Sequence, residues 1–145
     1  MAEIYSGSWQ FYREYKKRLA AGEILSVGHS FRLSMLTASY VPDLINHKNW
    51  SDISTNEIVG SGYTAGGVLI NTTTLNSIDN YVKWGANIVE VGPFVDLTTV
   101  MYAVIYDDSH ADDALVAYCL MSSLGEPVEG YKFNVFLSEG ICKYI

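Results

Sequence analysis

The chain has 145 residues, of which 49% are hydrophobic and 17% are charged, and its formal net charge is −7. This composition excludes a disordered chain and is sufficient for one domain with its own core. The negative charge argues against nucleic acid as a partner, because binding to phosphates usually needs a basic patch. No run approaches the ~18 apolar residues of a membrane span, and the first residues lack the pattern of a secretory signal, so we expect neither membrane nor secretion.

The first predicted element is a helix over residues 8–21. Ser8 is a suitable N-cap, and Gly22 is suited to the C′ position that follows a helix. One side of this helix is aromatic and the last turns are basic, which suits the helix dipole. We therefore divide the chain into an N-terminal arm, residues 1–25, and a β-domain, residues 26–145. The arm residues predicted to form an interface are Trp9, Phe11, Tyr12, Tyr15, Lys16 and Lys17.

Charge is distributed unevenly between this helix and the rest of the chain. Residues 8–21 carry four basic residues and one acid, which leaves −10 on the remaining residues. A basic, aromatic arm can dock on its own acidic body or on that of a neighbouring copy. The sequence alone does not choose between these two arrangements.

From Ile24 onward the pattern is typical of β-strands separated by turns. Two segments, 98–106 and 114–121, are apolar on both faces, which indicates central strands covered on both sides. Residues 76–84 are predicted as a short helix or an irregular crossing. The predicted strands cover residues 30–37, 57–60, 67–74, 88–91, 98–106, 114–121, 132–137 and 141–144.

Seven or eight short strands without βαβ alternation predict a mainly β fold with a short N-terminal helix. We expect an antiparallel β-sandwich, immunoglobulin-like or jelly-roll. A partly open barrel is the alternative.

A glycine-rich segment lies at residues 60–67 and contains Gly60, Gly62, Gly66 and Gly67. A phosphate-binding loop would need a helix directly after it, but a strand-like segment follows. We therefore predict that these glycines provide a backbone corner, with positive φ at one or more of Gly62, Gly66 and Gly67. Tyr63, at this corner, is predicted to contribute to a protein contact.

Three segments resemble a known family: MLTASYVPD at 35–43, SDISTNEIVGSGYTAGG at 51–67 and YAVIYDD at 102–108. They are similar to segments of small virion-associated proteins of tailed bacteriophages, which are capsid decoration or head–tail accessory proteins. The resemblance covers about residues 15–118. It implies a protein made in the bacterial host cytoplasm and located in the virion. Its implied partners are other copies of itself, for example in a trimer, and virion proteins such as the major capsid protein.

Residues 107–113 hold four carboxylates within seven positions. A calcium site is one interpretation, because calcium takes clustered oxygen ligands, but the spacing does not fit an EF-hand. We favour a polar hairpin loop between two apolar strands.

No set of residues has a spacing typical of catalysis. His29, His47 and His110 are far apart, no serine lies in a nucleophile elbow, and Cys119 lies in an apolar strand. Glu90 and Asp96 are a carboxylate pair of a kind that is common by chance. We therefore expect a non-enzymatic protein without a cofactor.

Two functions stay open at this stage. The first is a virion structural protein that acts through oligomeric interfaces. The second is a tail module that binds a host-surface glycan or receptor, with Trp50 and Trp84 as stacking platforms.

Overall fold

The computed structural model describes residues 3–5, 9–70, 73–122, 124–135, 137 and 141–144. The structure is 39% strand and 11% helical, with one short α-helix, and all strand pairs but one among the described residues are antiparallel. The prediction of a mainly β, antiparallel fold with a short helix is therefore confirmed. The arrangement of the sheets as a sandwich stays a prediction.

The described chain contains one α-helix, α1 (Arg13–Ala20), and two short 3₁₀ turns, Trp50–Asp52 and Ser54–Asn56. The strands are β1 (Glu3–Tyr5), β2 (Gln10–Phe11), β3 (Phe31–Leu36), β4 (Val68–Ile70), β5 (Thr74–Ile78), β6 (Tyr81–Gly85), β7 (Val89–Val91), β8 (Thr98–Val100), β9 (Tyr102–Asp107), β10 (Ala114–Leu120), β11 (Val128–Gly130), β12 (Lys132–Val135) and β13 (Cys142–Tyr144).

The largest sheet has five antiparallel strands in the order β2-β10-β9-β3-β4. Every residue of β9 is buried, as are most of β10, because β9 is central and α1 packs against β10. The prediction of a central position is confirmed for residues 102–106 and 114–120. Residues 98–100 of the predicted strand 98–106 instead form β8, which pairs with β11 in a separate sheet.

The described residues also form three smaller sheets. Their orders are β1-β12-β7, β13-β6-β5 and β11-β8. All pairs within them are antiparallel except β1 with β12, which is parallel. β1, β2 and β11 are strands that the sequence analysis did not predict.

The prediction for residues 76–84 was wrong. This segment belongs to a hairpin of β5 and β6, in which Ile78 is paired with Tyr81 across the turn. Asp79 adopts a φ of +51° at this turn, a left-handed conformation that Asp tolerates better than most residues. The apolar residues Tyr81, Val82 and Trp84 lie on strand β6 instead of on a helix.

The helix is shorter than predicted, and its C-terminus is as predicted. α1 begins at Arg13, and the predicted cap Ser8 lies outside the described residues. Gly22 has a φ of +78°, the left-handed conformation expected just after a helix. Within the described ranges, no helix has the length and apolar character needed to cross a membrane.

Residues 9–20 do not form a separate arm. β2 is hydrogen-bonded to β10, and Tyr12 and Tyr15 are fully buried in the same core as the central strands. The Tyr15 ring stacks on Trp84 with centroids 6.2 Å apart. The boundary at residue 25 is therefore corrected: the helix is part of the β-domain because it packs against β10 and its tyrosines lie in the common core.

Candidate assembly surface

The glycine-rich segment forms the predicted corner. Gly62, Gly66 and Gly67 have φ values of +100°, +92° and +88°, which confirms the prediction of positive φ in this segment. Gly60, in contrast, has no positive φ. Three left-handed residues within six positions turn the chain sharply before β4 begins.

Two of these glycines also lie against neighbouring backbone. A Cβ atom on Gly62 would lie 2.4 Å from the carbonyl oxygen of Pro93, and one on Gly67 would lie 2.2 Å from that of Leu33. Both distances are far below a normal contact, so each position excludes any side chain. The corner is thus pressed onto β3 on one side and onto the loop after β7 on the other.

A carboxylate closes the corner from inside. Glu57 accepts hydrogen bonds from the Tyr63 hydroxyl at 2.6 Å, from the Ser34 hydroxyl, and from the Gly66 N–H at 2.9 Å. Burial raises the pKa of Tyr63 well above its ordinary value, and the bond to Glu57 adds to this shift. Tyr63 was predicted to take part in a protein contact, but its hydroxyl is used within the chain.

The corner is also fixed to the central strand. The Tyr106 hydroxyl of β9 donates to the Gly66 carbonyl at 2.5 Å, and the Trp50 ring stacks on Tyr106 at 4.9 Å. Burial, followed by the nearby Asp108 carboxylate, raises the pKa of Tyr106 to about 12. This hydroxyl therefore stays protonated as a donor over the physiological pH range.

A second loop, residues 92–97, lies beside the corner. Phe94 is buried and packs on Phe133 and Tyr63, with ring centroids 5.9 and 6.4 Å away. The Phe94 N–H donates to the Tyr131 carbonyl at 2.7 Å, and the Val95 N–H donates to the Ser61 carbonyl at 3.1 Å. The two loops are therefore joined by both backbone and ring contacts.

Three large apolar side chains on these two loops, or directly before them in the chain, are exposed to solvent. Val59 is 95% exposed, Val95 is 73% exposed and Leu97 is 52% exposed. Between the loops lies a cavity of about 280 Å³, whose lining includes Val59, Leu97 and Thr98. We call Val59, Val95 and Leu97 the apolar corner.

The apolar corner was not predicted, and only the exposure of Val59 could have been inferred from the sequence. Residues 57–60 were predicted as a strand, and strand alternation that points Ile58 inward points Val59 outward. Ile58 is indeed buried, but only Glu57 forms a β-bridge, to Leu36.

The predicted interface residues of the N-terminal region have different positions. Tyr12 and Tyr15 are fully buried within the chain, so the prediction that they anchor a second chain was wrong. Trp9 and Phe11 are partly buried against the same core. Only Lys16 and Lys17 are exposed. The aromatic side of the helix is therefore satisfied internally, and its basic side remains at the surface.

The two tryptophans proposed as glycan platforms are not equivalent. Trp84 is fully buried and packs edge-on against Phe31, so it presents no ring face to solvent. Trp50 is partly buried, and its ring stacks on Tyr106.

Residues 107–113 form the loop of the β9–β10 hairpin, as predicted. Its carboxylates contact separate partners: Asp107 contacts His29 at 2.5 Å, Asp108 contacts Arg32 at 3.1 Å and Asp112 contacts Arg18 at 3.9 Å. The side chains thus spread from the loop toward different elements. Among the residues that the structure describes, no group of three or more metal-ligating side chains comes together.

The carboxylate pair and the two cysteines of the sequence occupy unrelated positions. Glu90 lies 3.1 Å from Lys132 in a cross-strand ion pair, whereas Asp96 is exposed beside the apolar corner. Cys119 is buried in β10, and the side chain of Cys142 lies outside the described residues.

No family model, curated protein or solved structure matches this chain. The resemblance to phage virion proteins therefore stays a prediction.

Proposed function

We propose that the chain is a non-enzymatic structural subunit of a phage virion, a capsid decoration or head–tail accessory protein made in the bacterial host cytoplasm. It acts by binding other virion proteins or copies of itself through exposed surface. The observation that carries the proposal is the apolar corner, where Val59, Val95 and Leu97 are exposed on a tightly held backbone.

Exposing these apolar side chains to water costs free energy that a bound partner would recover. Apolar side chains grouped at one place on a surface mark sites of protein interaction more often than single exposed ones do. Here the backbone under them is fixed by Gly62 against Pro93 and by the Val95–Ser61 hydrogen bond. A rigid surface loses little conformational entropy when it binds, which favours an interface.

The family resemblance supports the same proposal independently. Two of the segments that carry the resemblance, 51–67 and 102–108, meet through the hydrogen bond from Tyr106 to Gly66. These segments hold the backbone beneath the apolar corner. The residues that carry the resemblance are therefore also residues that position the proposed contact surface.

The glycan-binding alternative has less support. It relied on exposed aromatic rings, and Trp84 has no exposed ring while Trp50 is stacked on Tyr106.

Copy number in purified particles tests the proposal. Quantitative mass spectrometry of particles from the phage that encodes this chain is expected to find it in many copies, in fixed ratio to the major capsid protein or a tail protein. Absence from particles would overturn the proposal, and a few copies with glycan-dependent adsorption would favour the receptor-binding alternative.

A further inference from the structure

Two acidic residues flank the apolar corner. Asp96 lies between Val95 and Leu97, and Glu129 of β11 is paired with Thr99, which lines the same cavity. Both carboxylates are exposed, and neither forms an ion pair with another described residue. The corner thus combines exposed apolar side chains with unneutralised negative charge.

The exposed side of α1 carries charge of the opposite sign. Arg13, Lys16 and Lys17 are all exposed there, and we call them the basic face. The Arg13 guanidinium donates to the carbonyl of Ile45 at 3.4 Å, and the Ile45 side chain is itself 53% exposed. Lys17 has one acidic neighbour, Glu14, at 3.5 Å, which leaves the face with a net positive charge.

These two surfaces lie at different ends of the central strand. The apolar corner adjoins β8, which comes just before β9 begins at Tyr102. The last turn of α1 adjoins the loop that follows the end of β9, since Arg18 contacts Asp112 in that loop. A strand of six residues separates these ends by about 20 Å, so one copy's basic face does not neutralise its own corner.

We propose that the apolar corner of one copy docks on the basic face of a second copy. This inference rests on the proposed function and names the partner: another copy of this chain, bound head to tail. Exposed Ile45 gives the apolar side chains of the corner a counterpart, while Lys16 and Lys17 oppose Asp96 and Glu129. Charge complementarity of this kind selects the partner and the orientation.

In a row of subunits joined head to tail, one end leaves an apolar corner free and the other end leaves a basic face free. Such heterologous contacts give rings when the rotation closes and filaments when it does not. Both products suit a protein that lines or decorates a symmetric particle.

Charge reversal tests the pairing directly. The corner variant carries Asp96→Lys and Glu129→Lys, and the helix variant carries Lys16→Glu and Lys17→Glu. At low salt we expect each variant alone to self-associate about tenfold more weakly than the wild type, measured by sedimentation velocity. An equal mixture is expected to regain the wild-type behaviour, because the reversed corner fits the reversed helix and the unchanged surfaces fit each other.

A second pair of variants keeps the test independent of charge. Val59→Ser changes a side chain that is almost fully exposed, so the fold is expected to be unaffected. It is expected to weaken self-association, whereas the matched control Leu75→Ser, on exposed β5 in another sheet, is expected to leave it unchanged. Circular dichroism and thermal melts confirm that each variant is folded.

Three results would overturn the head-to-tail contact: a wild type that stays monomeric at low salt, charge variants that associate as the wild type does, or a mixture that does not recover. A monomeric chain that is nevertheless abundant in particles would remove this inference and leave the proposed function standing. A chain that self-associates as expected but is absent from particles would do the reverse.

Discussion

The carboxylate of Glu57 accepts a hydrogen bond from the hydroxyl of Tyr63 at 2.6 Å, and this bond joins the residues just before the glycine corner to the corner itself. The same carboxylate accepts the N–H of Gly66, so a single side chain ties three points of the corner together. This network holds the backbone that presents Val59 to solvent. The rigidity of the proposed contact surface therefore depends on a polar group inside it.

Removal of the Tyr63 hydroxyl is expected to destabilise the corner. Tyr63→Phe takes a donor away from a charged acceptor, which typically costs about 1.5–3 kcal/mol of unfolding free energy. Tyr131→Phe, in an exposed tyrosine, is the control and is expected to change stability by less than about 0.5 kcal/mol. Urea unfolding measures both, and equal small effects would show that the network contributes nothing.

Two glycine substitutions separate the cost of a steric clash from the cost of a positive φ. Gly67→Ala places a Cβ against the Leu33 carbonyl, and we expect a loss of about 3 kcal/mol or more. Gly22→Ala is the matched control, since Gly22 also has positive φ but has no atom within 4 Å of the added Cβ. It is expected to cost only about 1 kcal/mol. Equal losses in chemical denaturation would contradict the close packing of the corner on β3.

The aromatic side of α1 is expected to stabilise the fold. Tyr15→Ala removes a buried ring that stacks on Trp84, and a loss of about 3 kcal/mol or more follows from comparable core truncations. Lys16→Ala, one residue away and exposed, is the control and is expected to leave stability nearly unchanged.

Deletion of residues 1–22 is likewise expected to prevent folding, because it removes β2 and α1 together. A truncated chain with a cooperative unfolding transition and the wild-type midpoint would restore the idea of a detachable arm.

Alkaline pH is expected to unfold the protein in a defined window. The pKa of Tyr106 and that of Tyr40 are each raised to about 12 by burial, compared with about 10 in an unfolded chain. Below pH 10 both groups are protonated in both states and their contribution is complete. Between pH 10 and 12 the unfolded state loses protons more readily than the folded state, so stability falls as pH rises.

Tyr106→Phe checks this assignment. The variant is expected to be about 1 kcal/mol less stable at pH 7, because it lacks the hydrogen bond to Gly66, and to lose less stability between pH 10 and 12. Thermal melts across this range measure the slope. A slope identical to that of the wild type would show that Tyr106 does not contribute to the alkaline transition.

Strong local patterns predicted the parts of the fold that depend on local chemistry. The two-sided apolar character of β9 and β10 indicated their central position, and Gly22 marked the end of α1. The glycine corner was predicted for the same reason, since positive φ at Gly62 is a requirement of the backbone that glycine meets at low cost.

Pairing between distant segments was not predictable in this way. The parallel contact of β1 with β12 joins residues near the two ends of the sequence. The sequence of neither segment indicates which strand it pairs with. The hairpin of β5 and β6 was missed because its turn uses Asp79 in place of glycine.

A single sequence also does not indicate the surface on which an amphipathic helix packs. Tyr12 and Tyr15 have the same spacing whether they pack on their own sheet or on a second chain. The apolar corner was missed for the converse reason. Val59, Val95 and Leu97 are isolated apolar residues in loops, and only the packing of the two loops groups them.

A density map of the assembled particle tests the central claim most directly. Our account predicts that this chain occupies a repeated position in which Val59, Val95 and Leu97 are buried against a neighbouring subunit. A map in which the chain is present but these three side chains face solvent, or a complete map of the particle without the chain, would contradict it.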